Sequence, residues 1–255
     1  MEKTSIILYG ITIYEPVTAI TDLFVTAICF WAYFKLKKLS KQAEYLRLYP
    51  WFFLTMGIST LCGALMTHAF YYVFQYRHAV HAANPGFFER IEENWQKLPS
   101  WIFNIISVSI FTFCMLYRAG IWLKKNTLRI FYIIATIETI AMLGLMLYTM
   151  NFLWSEIHIA LCLWCLAIPI QSYINNRERK PETKAVLFAV LTTTLTCAVL
   201  IPKISFGVWF NHNDISHIII TFAMYIFYMA GIFWITDARY NNDDDDDEQN
   251  IPAAG

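Results

Sequence analysis

The chain has 255 residues, of which 58% are hydrophobic and 17% aromatic, while only 15% are charged. A soluble domain carries about 25% charged residues and about 45–50% apolar ones, so this composition indicates a membrane protein. The 19 basic and 19 acidic side chains cancel. This balance argues against a nucleic-acid-binding protein, which needs an excess of positive charge.

Seven segments are long and apolar enough to cross a bilayer as helices, since a span needs about 20 mostly apolar residues. Their length, without the alternation of transmembrane strands, predicts an all-α polytopic membrane protein, a bundle of seven transmembrane helices within residues 1–238. Residues 5–13 are also apolar, but Glu15 and Pro16 separate them from the first span, and we expect them at the membrane interface. The predicted spans are 16–36, 50–76, 100–123, 128–150, 152–175, 183–202 and 213–236.

Lys and Arg are concentrated in the connections that follow the first, third and fifth predicted spans. Because basic residues favour the cytoplasmic side, the N-terminus is predicted to be extracellular, periplasmic or lumenal and the C-terminus cytoplasmic. Residues 239–255 contain a run of acidic side chains, and a block of like charges repels itself. They are predicted to form a disordered cytoplasmic tail.

Ionisable side chains inside the spans are costly, so each one marks a candidate functional site. They are Asp22, His68, Glu138, Glu156, His158, Asp214 and His217. With a rise of 1.5 Å per residue, five of them lie roughly 6–12 Å below the outer ends of their spans. These five are Asp22, His68, Glu156, His158 and His217. Glu138 falls near the midplane and is predicted to lie apart from this layer.

Histidines from two or three helices with carboxylates nearby are typical of a site for a divalent transition metal, above all zinc. A catalytic zinc takes three protein ligands and lowers the pKa of a bound water to about 7. The predicted ligands are His68, His212 and His217, where His212 reaches the site only if the chain is not yet helical there. The predicted general base is Asp22 or Glu156.

Three neighbours are secondary candidates for the same site: Asn213, Asp214 and His158. Asn213 lies four residues before His217 on one helix face, and Asp214 lies three residues before it. Either Asn213 or Asp214 can instead cap the start of the last span. His158 and Asp22 can instead hold helices together by hydrogen bonds.

Three further features are assigned to structure rather than to chemistry. Cys162 and Cys165 form a C-x-x-C within the fifth span and are predicted to be two buried thiols. His78 and His81, in the outer loop, are predicted to be solvated. The stretch 86–96 of the same loop is predicted to lie on the membrane as an amphipathic helix.

Seven spans, an outside N-terminus, a histidine late in the second span and a polar start to the seventh resemble the superfamily of alkaline ceramidases and adiponectin/progestin-type receptors. The motifs are GALMTHAF, which contains His68, and FNHNDISHI, which contains His212, Asn213 and His217. The resemblance implies zinc held by one histidine of the second helix and two of the seventh, and hydrolysis of lipid amides. The orientation is similar to that of the ceramidases.

The chain departs from the superfamily pattern at three places. Asn213 stands where the first histidine of the seventh helix is expected, and Ala64 stands where a serine precedes His68 by one turn. The third span has no aspartate, so Asp22 or Glu156 would have to replace that carboxylate.

The sequence therefore predicts an integral membrane protein that hydrolyses a lipid amide or ester with zinc. Its expected partner is a membrane lipid or another lipophilic small molecule. Two other classes stay open: a non-enzymatic receptor or transporter that binds a small lipophile, and a haem-binding bundle with facing histidines. A retinal protein is excluded, because the span 213–236 has no lysine.

Overall fold

The fold is a bundle of seven helices, which confirms the predicted all-α architecture of an integral membrane protein. The computed structural model describes residues 4–39, 44–74, 90–91 and 94–249. Within these residues, seven helices are long and apolar enough to cross a membrane.

The helices follow the predicted spans, with the clearest differences in the second and in the last. The second helix ends at Ala69 rather than at residue 76, because Phe70 leaves helical geometry with φ −119° and ψ 26°. A short helix, Tyr71–Phe74, follows it. The seven are α1 (Pro16–Leu39), α2 (Glu44–Cys62 with a π-helical turn, Gly63–Ala69), α3 (Leu98–Ala119), α4 (Lys125–Thr149), α5 (Leu153–Ala160, the π-helical Leu161–Ala167, and Ile168–Glu178), α6 (Pro181–Leu200) and α7 (His212–Gln249).

The packing order closes the bundle into a ring. α1 lies between α2 and α7, α2 packs on α3, and α7 packs along α6, while α4 and α5 pair with each other beside α3. α1 and α7 begin, and α2 ends, at one end of the bundle, which we call the N-terminal end. Polar residues near these three helix ends are therefore brought together.

An antiparallel hairpin precedes α1, formed by β1 (Ser5–Leu8) and β2 (Ile11–Tyr14). Tyr9 and Gly10 connect the strands with φ of 50° and 80°, the left-handed pair that a type I′ turn requires. Residues 5–13, predicted to lie at the interface, thus form strands. Most of their apolar side chains are exposed, and the interfacial location stays a prediction.

The last helix is longer than predicted. Residues 239–249, predicted to be a disordered tail, continue α7 as a helix to Gln249. Extending an existing helix needs no new nucleation, which offsets the repulsion within the acidic run.

The core between α2 and α7 depends on a glycine. The Tyr49 hydroxyl donates a hydrogen bond to the carbonyl of Phe227 (2.7 Å), and its ring packs 4.7 Å from that of Trp234. A Cβ atom at Gly231 would lie 2.6 Å from the Tyr49 ring and 3.1 Å from Leu36. Tyr49 is 1% exposed and hydrogen-bonded, so moving its ring aside would disturb the packing around it.

We therefore expect Gly231→Ala to lower the free energy of unfolding by about 1–3 kcal/mol through overpacking. The matched control is Gly144→Ala in α4, where the added Cβ meets nothing within 4 Å. That change should stabilise the helix by up to about 1 kcal/mol. Thermal unfolding in detergent measures both, and equal melting temperatures for the two variants would contradict the assigned packing.

Candidate active site

A carboxylate lies between two histidines at the N-terminal end of the bundle. Asp22 comes from α1, His68 from the π-helical turn of α2 and His217 from the start of α7. Asp22 Oδ1 is 3.4 Å from His217 Nε2, and Asp22 Oδ2 is 3.7 Å from His68 Nε2. The Asp22 side chain is 7% exposed and the two imidazoles are 17% and 19% exposed. The site is thus buried on the Asp22 side and partly open on the histidine side.

Each imidazole is oriented by a second contact at its other nitrogen. His68 Nδ1 lies 2.9 Å from Glu15 Oε2, and His217 Nδ1 lies 3.2 Å from Thr21 Oγ1. Both rings therefore turn Nε2 towards Asp22. A histidine fixed through one nitrogen by a carboxylate or another polar group is typical of metal ligands.

Glu15 is a member of this site that the sequence analysis treated only as an interruption before the first span. Its φ is +42°, a left-handed conformation that is uncommon outside glycine and often held at functional sites. Its backbone bonds to Thr4 and Ala19, which fixes the carboxylate at the start of α1. A glutamate directly before a proline that begins an apolar span is the signal that could have revealed it.

A π-helical turn positions His68. The segment Gly63–Ala69 follows i→i+5 geometry, which rotates the residues after it relative to an α-helix. Gly63 opens this segment against Asp22, and a Cβ there would lie 3.1 Å from Asp22 Oδ2. The helix can approach the carboxylate closely because this residue has no side chain.

The start of α7 is capped by Asn211 together with Asp214, one of the two residues predicted as a cap. Asn211 Oδ1 accepts the N–H of Asn213 (2.8 Å), and Asp214 Oδ2 accepts the N–H of Asn211 (2.6 Å). This is a reciprocal capping box, and it forms here because α7 begins at His212, one residue earlier than predicted. The cap uses Asp214 through its side chain and Asn213 only through its backbone.

The second carboxylate oxygen of Asp214 takes no part in this cap. Its side chain is fully buried, and Oδ1 has no hydrogen-bond partner among the described residues. Asp214 lies three residues before His217 on the same face of α7, and His217 contacts Asp22. Asp214 thus belongs to the same polar centre.

Two predicted site residues lie apart from Asp22. His212 is the first residue of α7, and its Nδ1 is buried without a hydrogen-bond partner. In the described part of the chain its imidazole forms no hydrogen bond or ion pair with Asp22, His68 or His217. Glu156 lies on an exposed face of α5, which packs beside α3 and α4. Asp22 therefore occupies the position beside His68 and His217 that the sequence analysis gave to His212.

His158 belongs to a second polar cluster, between α3, α4 and α5. Its Nδ1 lies 2.9 Å from both carboxylate oxygens of Glu138. Glu138 therefore contacts one member of the predicted layer, His158, and makes no ion pair with Asp22, His68 or His217 among the described residues. Counted along their own helices, Glu138 and His158 lie at different depths in the membrane. α4 and α5 pack side by side as an antiparallel pair, and the long Glu138 side chain spans this difference.

Cys162 joins this second cluster, with Sγ 3.7 Å from Glu138 Oε2. Cys162 is buried as predicted, but Cys165 is exposed, so the expectation of two buried thiols holds for one. In the described part of the chain, Glu138, His158 and Cys162 are the one set of three His, Cys, Asp or Glu side chains with all ligand atoms within 4.8 Å of one another. The residues therefore form a possible metal-binding triad.

Ser109, His158 and Glu138 contact one another in the order serine, histidine and acid, as in a Ser-His-acid catalytic triad. Ser109 Oγ is 3.1 Å from His158 Nε2, but this nitrogen also faces the carbonyl oxygen of Ile105 at 3.2 Å. A carbonyl only accepts, so Nε2 carries a proton and cannot take one from the serine. The arrangement does not support a serine nucleophile.

The geometry also bears on the haem alternative. The rings of His68 and His217 are 6.5 Å apart between centroids, but the Asp22 carboxylate lies between their Nε2 atoms. In a haem site with two axial histidines, the iron rather than a carboxylate lies between the two imidazoles, so this arrangement does not match one. His158 faces Glu138 in the other cluster, so it does not pair with either ring.

His78 and His81 lie outside the described residues, as does most of the stretch 86–96, so their predictions stay open. No curated protein and no solved structure matches the chain. Residues 17–236 match DUF6962, a family of unknown function. This range includes all seven helices except the first residue of α1 and the C-terminal end of α7. The chain belongs to that family.

Proposed function

We propose that this protein is an intramembrane hydrolase of a lipid amide or ester, with its centre at Asp22, His68 and His217. The observation that carries the proposal is the convergence of two oriented imidazoles on one buried carboxylate, 3.4 and 3.7 Å away. Such groups move protons between water and a leaving group. The partial exposure of both imidazoles at one end of the bundle suits a lipid whose carbonyl lies near the headgroups.

The same residues suit a divalent cation, zinc above all. Two imidazoles and a carboxylate are a donor set of catalytic zinc, and two ligands about 2.1 Å from a tetrahedral ion lie about 3.4 Å apart. Asp22 is near this spacing from each imidazole, but the three ligand atoms do not all lie within 4.8 Å of one another. The two imidazoles would therefore move closer together when an ion binds. Neither Asp22 nor Asp214 is paired with Lys or Arg among the described residues, so a cation would balance their charge. When bound, the ion would supply an activated water and polarise the lipid carbonyl.

The protein side chains have separate roles in this proposal. His68 and His217 would hold the ion together with Asp22, while Glu15 and Thr21 keep the imidazoles in orientation.

Asp214 is the proposed general base, because its Oδ1 is buried without a hydrogen-bond partner among the described residues and lies on α7 one turn before His217. It takes a proton from water and returns it to the departing amine or alcohol. The predicted base Glu156 is exposed on another face of the bundle, so Asp214 replaces it here.

Asp214→Asn tests this assignment. The amide keeps the size of the side chain and can still accept the N–H of Asn211, but it cannot take a proton. We expect turnover of a lipid amide to fall by about 10²–10⁴-fold, with the melting temperature and metal content unchanged. Unchanged turnover in a folded Asp214→Asn protein would overturn the base.

Glu156→Gln is the matched control, since it makes the same chemical change at the exposed carboxylate of α5. Its turnover should equal that of the wild type. Loss of turnover in this variant, with retention in Asp214→Asn, would restore the assignment made from the sequence.

The orientation proposed from the basic loops places the N-terminal end of the bundle, and with it the site, on the extracellular, periplasmic or lumenal side. A reporter fused after Gly255 should therefore read as cytoplasmic. A cysteine introduced between residues 78 and 98 should react with a membrane-impermeant thiol reagent added from outside. The reverse pattern would place the site in the cytoplasmic leaflet.

A further inference from the structure

We infer that Glu138, His158 and Cys162 form a second metal site, a structural zinc site that joins α4 to α5 inside the membrane. His158 and Cys162 lie at the point where α5 passes from its first α-helical segment into its π-helical one, and Glu138 faces them from α4. None of these residues belongs to the Asp22 centre. The inference therefore does not depend on the proposed hydrolase.

The protonation of His158 is set by its surroundings. Nε2 lies 3.2 Å from the Ile105 carbonyl oxygen and 3.1 Å from Ser109 Oγ. The Ser109 hydroxyl itself donates to the same carbonyl (2.8 Å), so Nε2 must be a donor to both oxygens. The lone pair of a neutral His158 is then on Nδ1.

This lone pair points at a carboxylate. Nδ1 is 2.9 Å from both Oε1 and Oε2 of Glu138. Two acceptors at this distance need a cation between them, either a proton or a metal ion. A ring that donates one nitrogen to a backbone carbonyl and offers the other to a neighbouring ligand matches the usual setting of a metal-bound histidine.

The thiol of Cys162 is what favours a metal over a proton. Sγ is 3.7 Å from Glu138 Oε2 and 3.8 Å from His158 Nδ1. A thiolate about 2.3 Å and an imidazole nitrogen about 2.1 Å from a tetrahedral zinc lie about 3.6 Å apart. Cys162 follows His158 by four residues, so α5 itself brings the thiol beside the imidazole, and Glu138 meets both of them from α4.

Charge and burial point the same way. His158 is 0% exposed and Cys162 is 1% exposed. A divalent ion with one carboxylate and one thiolate has no net charge, which lowers the cost of placing it in the interior of a membrane protein. Sulfur and imidazole ligands select zinc over magnesium or calcium. Because protein surrounds the site, a structural role fits better than a catalytic one.

Cobalt(II) replacement tests the inference on the full-length protein purified in detergent, because a thiolate bound to cobalt gives a charge-transfer band in the near-ultraviolet. We expect this band in the wild type and in His68→Ala, and its loss in Cys162→Ser. Cys165→Ser, three residues along the same helix and exposed, is the matched control and should keep the band.

Two results would overturn the inference. One is the absence of the thiolate band in the wild type, which would leave an imidazolium–carboxylate pair. The other is a band that survives Cys162→Ser. If Cys162→Ser does not fold, the wild-type spectrum decides alone. A His68-dependent metal without the thiolate band would contradict this site and leave the proposed hydrolase standing, whereas a band without hydrolysis would do the opposite.

Discussion

His68→Ala and His217→Ala are each expected to reduce lipid-amide hydrolysis to the level of a protein-free control. Each histidine contributes one of the two Nε2 atoms that converge on Asp22, and they come from different helices. With one imidazole removed, the remaining pair cannot hold a divalent ion with three protein ligands. The metal content of the purified protein should fall by one equivalent, while hydrolysis is followed by mass spectrometry of the released acid.

His212→Ala is the control that separates two ligand sets. The sequence predicts His212 as the third ligand, whereas the structure places Asp22 beside His68 and His217. We expect His212→Ala to keep both the metal and the activity. Loss of the metal in His212→Ala, with retention in Asp22→Asn, would contradict the site as the structure arranges it.

Glu182→Gln is expected to cause the largest loss of stability among single changes outside the site. Glu182 and Arg118 form a buried salt bridge between the start of α6 and the end of α3, with side chains 1% and 3% exposed. Each charge also suits its helix end, the acid at an N-terminus and the base at a C-terminus. The Arg118 guanidinium lies over the ring of Trp234 at 5.0 Å.

Removing one partner leaves a buried charge uncompensated, which costs about 3–5 kcal/mol. Thermal unfolding in detergent should show this loss for Glu182→Gln. The double variant Arg118→Met with Glu182→Leu should recover most of it, because no charge is then left unpaired. Lys184→Gln, at an exposed position in the same turn, should change the free energy of unfolding by less than about 0.5 kcal/mol. A Glu182→Gln protein that melts with the wild type would contradict the stabilising role of the pair.

The fold could be predicted from the sequence because membrane spans are set by one dominant requirement. A helix needs about 20 apolar residues to cross the bilayer, and seven such runs are visible without knowledge of their packing. The end of α2 at Ala69 was missed, because residues 70–76 are as apolar as the span before them. The hairpin of residues 5–14 was missed, because Tyr9 is an unusual residue for a left-handed turn.

The candidate site was accessible from the sequence only in part. Depth along each span brings Asp22, His68 and His217 to one layer, and the structure places them in contact. The depth of a residue does not show how its helix is rotated about the helix axis. The π-helical turn that orients His68 towards Asp22 also has no signature in the sequence.

The sequence also does not reveal which side chains of different helices meet. The choice of Glu138 as the partner of His158 depends on how α4 and α5 pack, which no single span reveals. Glu15 and Asp214 lie at the ends of their helices, where a carboxylate is ordinarily assigned to capping.

The most direct test of the hydrolase is turnover of a panel of lipid amides and esters by the purified wild-type protein in lipid nanodiscs. The account predicts release of a free acid from at least one member, and no release by a folded Asp22→Asn protein. A wild-type protein that is folded and metal-loaded but hydrolyses no member would contradict it. The same holds if Asp22→Asn protein hydrolyses its substrate at the wild-type rate.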